Sequence, residues 1–501
     1  MRSGLVVLLA FIGVALAVAQ VQRGSITGTV FDSQGAVVPN AAVTVTDNST
    51  GATFAAKTSG EGTFTVPGLP FGTYAVKIVA AGFRQWEAPN VPVVTAQESS
   101  VRATLEVGGT NEVVSVEAAQ AQVDTTSSEL KTHVDRKQIV DLPSTTRNPL
   151  DFATQMAGAT STGSATSGAS IMNGLRGSSN NLVQDGIDVR DSFIKTSGFA
   201  AAGNVTLESI GEFSITGQNV GADSGDGVVQ IRMTTARGGN QFHGSAFYYG
   251  RNDAFNANTW TSNFSGTPRP ILRQHRYGGS IGGPVEIPKV YHGKEKTFFF
   301  FSYSVFQRHF QNTDSRTVLT APARTGLFTY QGADGANHTV DLLAASSRDL
   351  PINSFTKTLI DATPLPVNAG AISVNPGSGD GLNIVGIRFN TPGSELDKLY
   401  DMRIDHKLIE SRRFGTHWVE ADWHWEHDPI SPDTDAQFPR GIATNCVGSV
   451  CDVNDNYNFY QRLAALAINS TFGASAFNEV RFGFSRPESS FLPPPFERTF
   501  N

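Results

Sequence analysis

The sequence predicts a mainly β protein in three units: an N-terminal β-sandwich, a small α/β domain, and the N-terminal part of a large antiparallel transmembrane β-barrel. Three observations carry that reading. Residues 24–107 are short period-two strand signals separated by Gly, Pro and Asn. Two later segments put apolar residues on one strand face and charges on the other. The chain opens with an export signal, and no later stretch is long and apolar enough for a membrane helix, so a membrane form must be a closed barrel.

At 501 residues the chain has room for about three domains. Lys and Arg total 38 against 45 Asp and Glu, a formal charge of −7. Charged residues make up 17% of the chain, where about 25% is usual. There is no basic field to draw nucleic acid. Plentiful Gly (50) and Phe (33) favour turns and aromatic-rich strands.

Residues 1–19 read as a signal peptide. Arg2 gives the positive start, Leu5 to Val18 the apolar core, and Ala17-Val18-Ala19 a small-x-small cleavage site before Gln20. The core falls short of the roughly 20 residues that span a bilayer, and Gln20, Gln22 and Arg23 follow at once.

In the sandwich, residues 25–30, 42–46, 62–66 and 73–79 alternate polar and apolar, so each can bury one face. Asp32-Ser33-Gln34-Gly35, Asn48-Ser49-Thr50-Gly51, Ser59-Gly60-Glu61-Gly62 and Leu69-Pro70-Phe71-Gly72 supply the turns. Regular spacing of such strands indicates a sandwich. With Gly28-Thr29-Val30-Phe31-Asp32, Pro39-Asn40-Ala41-Ala42-Val43, Gly62-Thr63-Phe64 and Leu69-Pro70-Phe71-Gly72-Thr73-Tyr74 in order, this unit resembles the carboxypeptidase regulatory-like domain. The resemblance implies a prealbumin-like, carbohydrate-binding-like β-sandwich over 24–107, and assigns no chemistry.

Residues 108–128 are a polar linker, and 129–237 mix helix and strand around a Gly, Ser and Thr-rich loop at 157–170 that is too polar to pack a core and reads as mobile. Leu142-Pro143-Ser144-Thr145-Thr146-Arg147-Asn148-Pro149, Asn173-Gly174-Leu175-Arg176-Gly177-Ser178-Ser179-Asn180-Asn181 and Asp185-Gly186-Ile187-Asp188 resemble the plug of TonB-dependent outer-membrane transporters of the Oar-like class. Residues 210–215 and 228–235 complete that pattern, whereas 221–227 are more acidic than the family's glycine-rich turn. Under the resemblance, Arg147, Asn173, Arg176, Asp185 and Asp188 are plug residues whose paired charges hold the plug inside a polar lumen. Glu112-Val113-Val114-Ser115-Val116 then looks like a TonB box, able to add as a strand to an energy-transducing partner. The same five residues also read as the first strand of the next domain.

Residues 238–501 begin with Gly239-Asn240-Gln241-Phe242-His243-Gly244, which resembles the family's plug-to-barrel junction. Tyr400, Met402, Ile404 and Leu408 share one strand face, and Asp401, Arg403, Asp405 and Lys407 the other. Val419, Ala421, Trp423 and Trp425 likewise oppose Glu420, Asp422, His424 and Glu426, with both tryptophans suited to an interfacial girdle. Val480 to Ser485 is a weaker instance, and Thr297 to Val305 is too apolar to read by face. The family's barrel of about 22 strands needs roughly twice this length. The loop-like ending at 493–501 therefore predicts a truncated barrel with open strand edges.

In an oxidising envelope Cys446 and Cys451 read as a local loop disulfide, and two thiols without a nearby histidine pair do not make a zinc site. His424, Glu426 and His427 imitate a metal motif, but on a strand the two histidines face opposite ways. Nothing resembles a carboxypeptidase's zinc-binding catalytic domain, and no Gly-rich loop is built to cradle phosphate, so neither enzyme activity nor a cofactor is expected.

The resemblance implies an outer-membrane receptor that takes up a ligand such as an oligosaccharide, or a peptide, with its N-terminal domain and plug on the periplasmic side. Its partners are the TonB complex and outer-membrane lipid. The alternative is a non-transporting adhesin or polysaccharide-binding surface protein, which needs no 112–116 segment.

Overall fold

The computed structural model describes residues 23–108, 113–115, 129–141, 147–155, 158–161, 170–175, 179–190, 204–221, 227–346, 351–363, 372–375, 378–411, 415–431, 456–472 and 476–492. Residues 1–19, read from the sequence as a signal peptide, lie outside them, as do Glu112, Val116, Arg176, Cys446, Cys451 and 222–226.

The sandwich contains β1 (Gly24–Asp32), β2 (Ala42–Asp47), β3 (Thr53–Lys57), β4 (Thr63–Leu69), β5 (Gly72–Val79), β6 (Gln85–Val93), β7 (Glu98–Leu105) and β8 (Val113–Ser115). Two sheets, β4-β1-β7 and β3-β2-β5-β6-β8, face each other. The period-two pattern buries Ile26 and Val30 from one sheet against Val45, Tyr74, Val76 and Ile78 from the other. The Tyr74 hydroxyl, buried with its ring, donates to the Pro70 carbonyl at 2.8 Å.

Residues 113–115 pair in parallel with β6, Gln85 opposite Val113 and Glu87 opposite Ser115. This corrects the reading of 112–116 as the first strand of the next sheet, which belongs to β9 (Leu130–Asp135). A Val-Val-Ser strand suits either sheet edge, and of the edges at β6 and β9 it joins β6.

The α/β domain adds α1 (Arg136–Asp141), β10 (Asn180–Gln184), β11 (Ile187–Asp188), β12 (Ile210–Gln218) and β13 (Val229–Thr235). Its mixed sheet runs β11-β10-β13-β12-β9, with β10 and β13 parallel. The Ser/Thr-rich loop is anchored by a hairpin of Ala159–Ser161 with Ser170–Met172. Both sheet faces are covered. Leu182, Phe213, Ile231 and Met233 fill the domain's core, while Asn181, Glu212, Ser214 and Arg232 are buried on the other face.

The barrel wall is β14 (His243–Asn252), β15 (Leu272–Pro284), β16 (Thr297–Leu319), β17 (Ile384–Ser411), β18 (Gly415–Ser431), β19 (Asn456–Phe472) and β20 (Ala476–Leu492), all antiparallel in chain order. Among the described residues the sheet is open, with β14 and β20 at its edges. β17 has 28 residues, on the order of 90 Å of strand, against an apolar band of about 25 Å. Strands rise far beyond that band at one end, joined there by 253–271, 320–383 and 432–455. At the other end the connections are 285–296, 412–414 and 473–475.

The wall alternates as the sequence predicts. Asp401, Arg403 and Asp405 are buried inward while Met402, Ile404 and Leu408 are exposed, and Glu420, Asp422, His424 and Glu426 are buried opposite exposed Trp423. Outward rings form a row across strands: Tyr303 to Tyr400 at 4.7 Å, Tyr400 to Trp425 at 5.2 Å, His427 to Tyr460 at 4.2 Å. Trp425 stands in this row. Trp423 lies two residues nearer the short-turn end, exposed on the same outward face. The strand too apolar to read by face is resolved by its neighbours. Phe298 and Phe300 point inward, toward Trp418 and the Arg136 guanidinium, and Phe301 points out.

Candidate functional site

The α/β domain sits against the wall's inward face as a plug, and two clusters of wall charges hold it. The first joins all three units. Arg403, almost fully buried, pairs with Asp405 at 2.9 Å, Glu420 and Asp422 at 3.4 Å, and Asp185 of the plug at 4.0 Å. Arg481 pairs with Glu479 at 2.9 Å and donates to the Asp185 carbonyl at 2.9 Å. Arg23 of the sandwich pairs with Glu420 and lies 4.0 Å from Glu479. Burial lowers Arg23 to about 10, which leaves it a cation at neutral pH.

Asp185 occupies the β10–β11 turn, where its carboxylate accepts from the Thr235 amide at 2.8 Å and hydroxyl at 2.6 Å. Burial pushes this carboxyl up, against the pull of Arg403, the Thr235 hydrogen bonds and Arg481. Just above, Ile187 packs on Gly483 of β20 so closely that a Cβ there would overlap it. Leu463 of the wall completes the plug's apolar core.

The second cluster lies toward the long-loop end. The Asn204 backbone amide and side-chain nitrogen donate to the two oxygens of Glu426 at 2.8 and 2.9 Å. His424 meets Asp401 at 2.7 Å beside them. His427 faces outward onto Tyr460. Among the described residues no group of three or more His, Cys, Asp or Glu is placed to hold a metal.

The plug residues singled out from sequence do not form one constellation. Asp185 belongs to the first cluster. Arg147 pairs with Glu208 inside the plug and covers the Tyr249 ring of β14 at 4.1 Å. Asn173 donates to the Gly217 carbonyl at 3.0 Å, and Asp188, exposed, pairs with Arg190 at 2.6 Å. Sequence reasoning missed Arg23, Asn204 and Glu212. The inward charges at 401–426 were a visible signal for a partner, but nothing local identified it.

The sandwich has its own seat. Thr95 donates its amide and hydroxyl to Glu212 of β12 at 2.9 and 2.6 Å, and Lys131 donates to the Thr95 carbonyl at 2.5 Å. Arg237, at the junction, donates to Asp47 at 3.1 Å and to the Phe71 carbonyl at 2.9 Å. Burial would raise the Asp47 carboxyl, but Arg237 and hydrogen bonds from Ser49 and Thr50 outweigh it and hold it below the usual range. A depressed carboxyl contributes stability that is full above its unfolded value, about 3.9, and is lost as pH falls through the lower folded value. Protection of the sandwich from protease is therefore expected to hold through neutral pH and weaken only below about pH 4. Asp47→Asn should weaken it at neutral pH and make little difference once pH has fallen through the folded value.

A family model described as the carboxypeptidase regulatory-like domain matches residues 25–106, and one described as an outer membrane beta barrel domain matches residues 234–501. Among solved structures, a mutant ferric enterobactin receptor from Pseudomonas aeruginosa in complex with enterobactin is 11% identical over 73% of this chain and 43% of its own, with a TM-score of 0.40. A hydroxyquinol 1,2-dioxygenase from Pseudomonas putida is 10% identical over 19% and 59%, with a TM-score of 0.15. A catechol 1,2-dioxygenase from Acinetobacter is 13% identical over 20% and 60%, with a TM-score of 0.16. The chain spans less than two thirds of each of these proteins. No curated protein matches it.

Proposed function

The chain belongs to the outer membrane β-barrel domain family, and from that membership we propose that it is a TonB-dependent, Oar-like receptor that carries a ligand through a plugged lumen. The observation that carries this reading is the plug's seat: polar, charge-assisted and made at both ends of the wall, by Asp185 with Arg403 and Arg481 and by Asn204 on Glu426. Such contacts hold a plug yet give way without unfolding the wall.

Short turns face the periplasm in barrels of this kind and long loops face outward. On that rule the sandwich and plug entrance are periplasmic, and 253–271, 320–383 and 432–455 belong to the capturing side. Energy enters through 112–116 by strand addition to a TonB partner. An oligosaccharide is the ligand class proposed, on the carbohydrate-binding-like resemblance of the sandwich. No catalytic step is assigned to the chain.

The test is growth on single oligosaccharides in strains carrying the gene intact, deleted, or lacking codons 112–116. A sugar whose use requires both the protein and the segment supports energised uptake. Growth that survives loss of the segment on every sugar contradicts it and favours the adhesin reading.

A further inference from the structure

The sandwich occupies the base of the lumen. Phe298 on β16, Asp405 on β17, Glu420 on β18, Asn469 on β19 and Phe477 on β20 all point inward near the short-turn end, and together they line one cavity with the sandwich. Sandwich residues close it: Arg23 reaches Glu420, and Gly68 lies flat on the Phe477 ring, where any Cβ would overlap. Gly68 also has φ +73°, a backbone that disfavours other residues. The plug's contacts with the same strands lie further in, at Arg403, Arg481 and Gly483. Sandwich and plug thus stand in series along the lumen.

The seat is mostly polar: Arg23 with Glu420, Asp47 with Arg237, Thr95 with Glu212, and Asn240, which donates to the Ser49 carbonyl at 2.8 Å and the Thr50 carbonyl at 2.6 Å. Polar interfaces between domains of one chain open readily. Residues 113–115 are a strand of the sandwich, so a pull on them loads β6 before it reaches β9 of the plug.

We propose that the sandwich is a second gate, closing the short-turn mouth in series with the plug, and that force on 112–116 opens it before the plug moves. This rests on the transporter reading above. A Cβ at Gly239 would lie 3.5 Å from the Ser49 Cβ, within disulfide reach, and 2.9 Å from the Ser49 carbonyl oxygen, so the junction backbone must shift slightly to admit it. Ser49→Cys with Gly239→Cys, in a chain with Cys446 and Cys451 replaced by serine, therefore locks the gate.

KCl conductance is measured in planar bilayers on the complete protein lacking residues 129–236, with heat-modifiable migration as proof that the wall has folded. The oxidised lock is expected to conduct several-fold less than the same protein after dithiothreitol, and deleting the sandwich as well should restore full conductance. Equal conductance in all three overturns the gate and leaves the pore reading intact; no folded wall in any of them counts against the pore itself. A second measurement needs no deletion. In the complete chain with Thr471→Cys and Cys446 and Cys451 replaced by serine, a bulky maleimide is expected to label slowly, and fast once Arg23→Glu and Gly68→Val unseat the sandwich. Fast labelling before unseating overturns the proposal.

Discussion

Replacing Arg403 with methionine is expected to weaken the plug's seat by about 3–5 kcal/mol, the cost of removing one partner from a buried ion cluster. Arg403 is surrounded by Asp405, Glu420, Asp422 and Asp185, all within 4.0 Å. Its loss leaves Arg23 and Arg481 to answer those carboxylates and Glu479. Charges with no water nearby repel at short range and cannot relax as surface charges do. The expected readout is trypsin cleavage within the plug at temperatures where the unaltered protein resists. Lys357→Met, which removes an exposed pair with Asp361, should change stability by less than about 1 kcal/mol. If both substitutions behave alike, the first cluster does not hold the plug.

Ile404→Arg should cost about 2–4 kcal/mol if residue 404 faces the middle of a bilayer. Its neighbours Arg403 and Asp405 are already charged and buried, so the prediction concerns the face and not the strand. In water the same exposed position would take an arginine within about 0.5 kcal/mol. Urea titration of the protein in lipid vesicles separates the two, with Leu342→Arg in the 320–383 connection as an exposed position expected to be neutral.

The wall was legible in the sequence where its alternation was clean. A charged residue at every second position of 401–407 and 420–426 leaves only one face for lipid, and the structure uses that face. Alternation failed at 298–301, four consecutive phenylalanines, because apolar side chains suit both sides. Tertiary packing decided there: Phe298 stacks on Trp418 and Phe300 lies under Arg136. The site was less legible. Asn204 and Glu426 stand 222 positions apart and Thr95 and Glu212 stand 117 apart, so no local pattern links them. Arg23 reads in the sequence only as one of the polar residues after the predicted leader, yet its side chain is buried against Glu420 of the wall. Residues 113–115 carried too little side-chain information to select between two sheet edges, and the sandwich took them.

On this structure the strands form a lipid-embedded wall around a seated plug. To test this, the protein is expressed, the outer-membrane fraction is isolated, and that fraction is run on a denaturing gel with and without boiling. A band in that fraction that migrates faster unheated than boiled, as a folded barrel does, is expected. A product recovered outside the membrane, or one whose migration ignores heating, contradicts it.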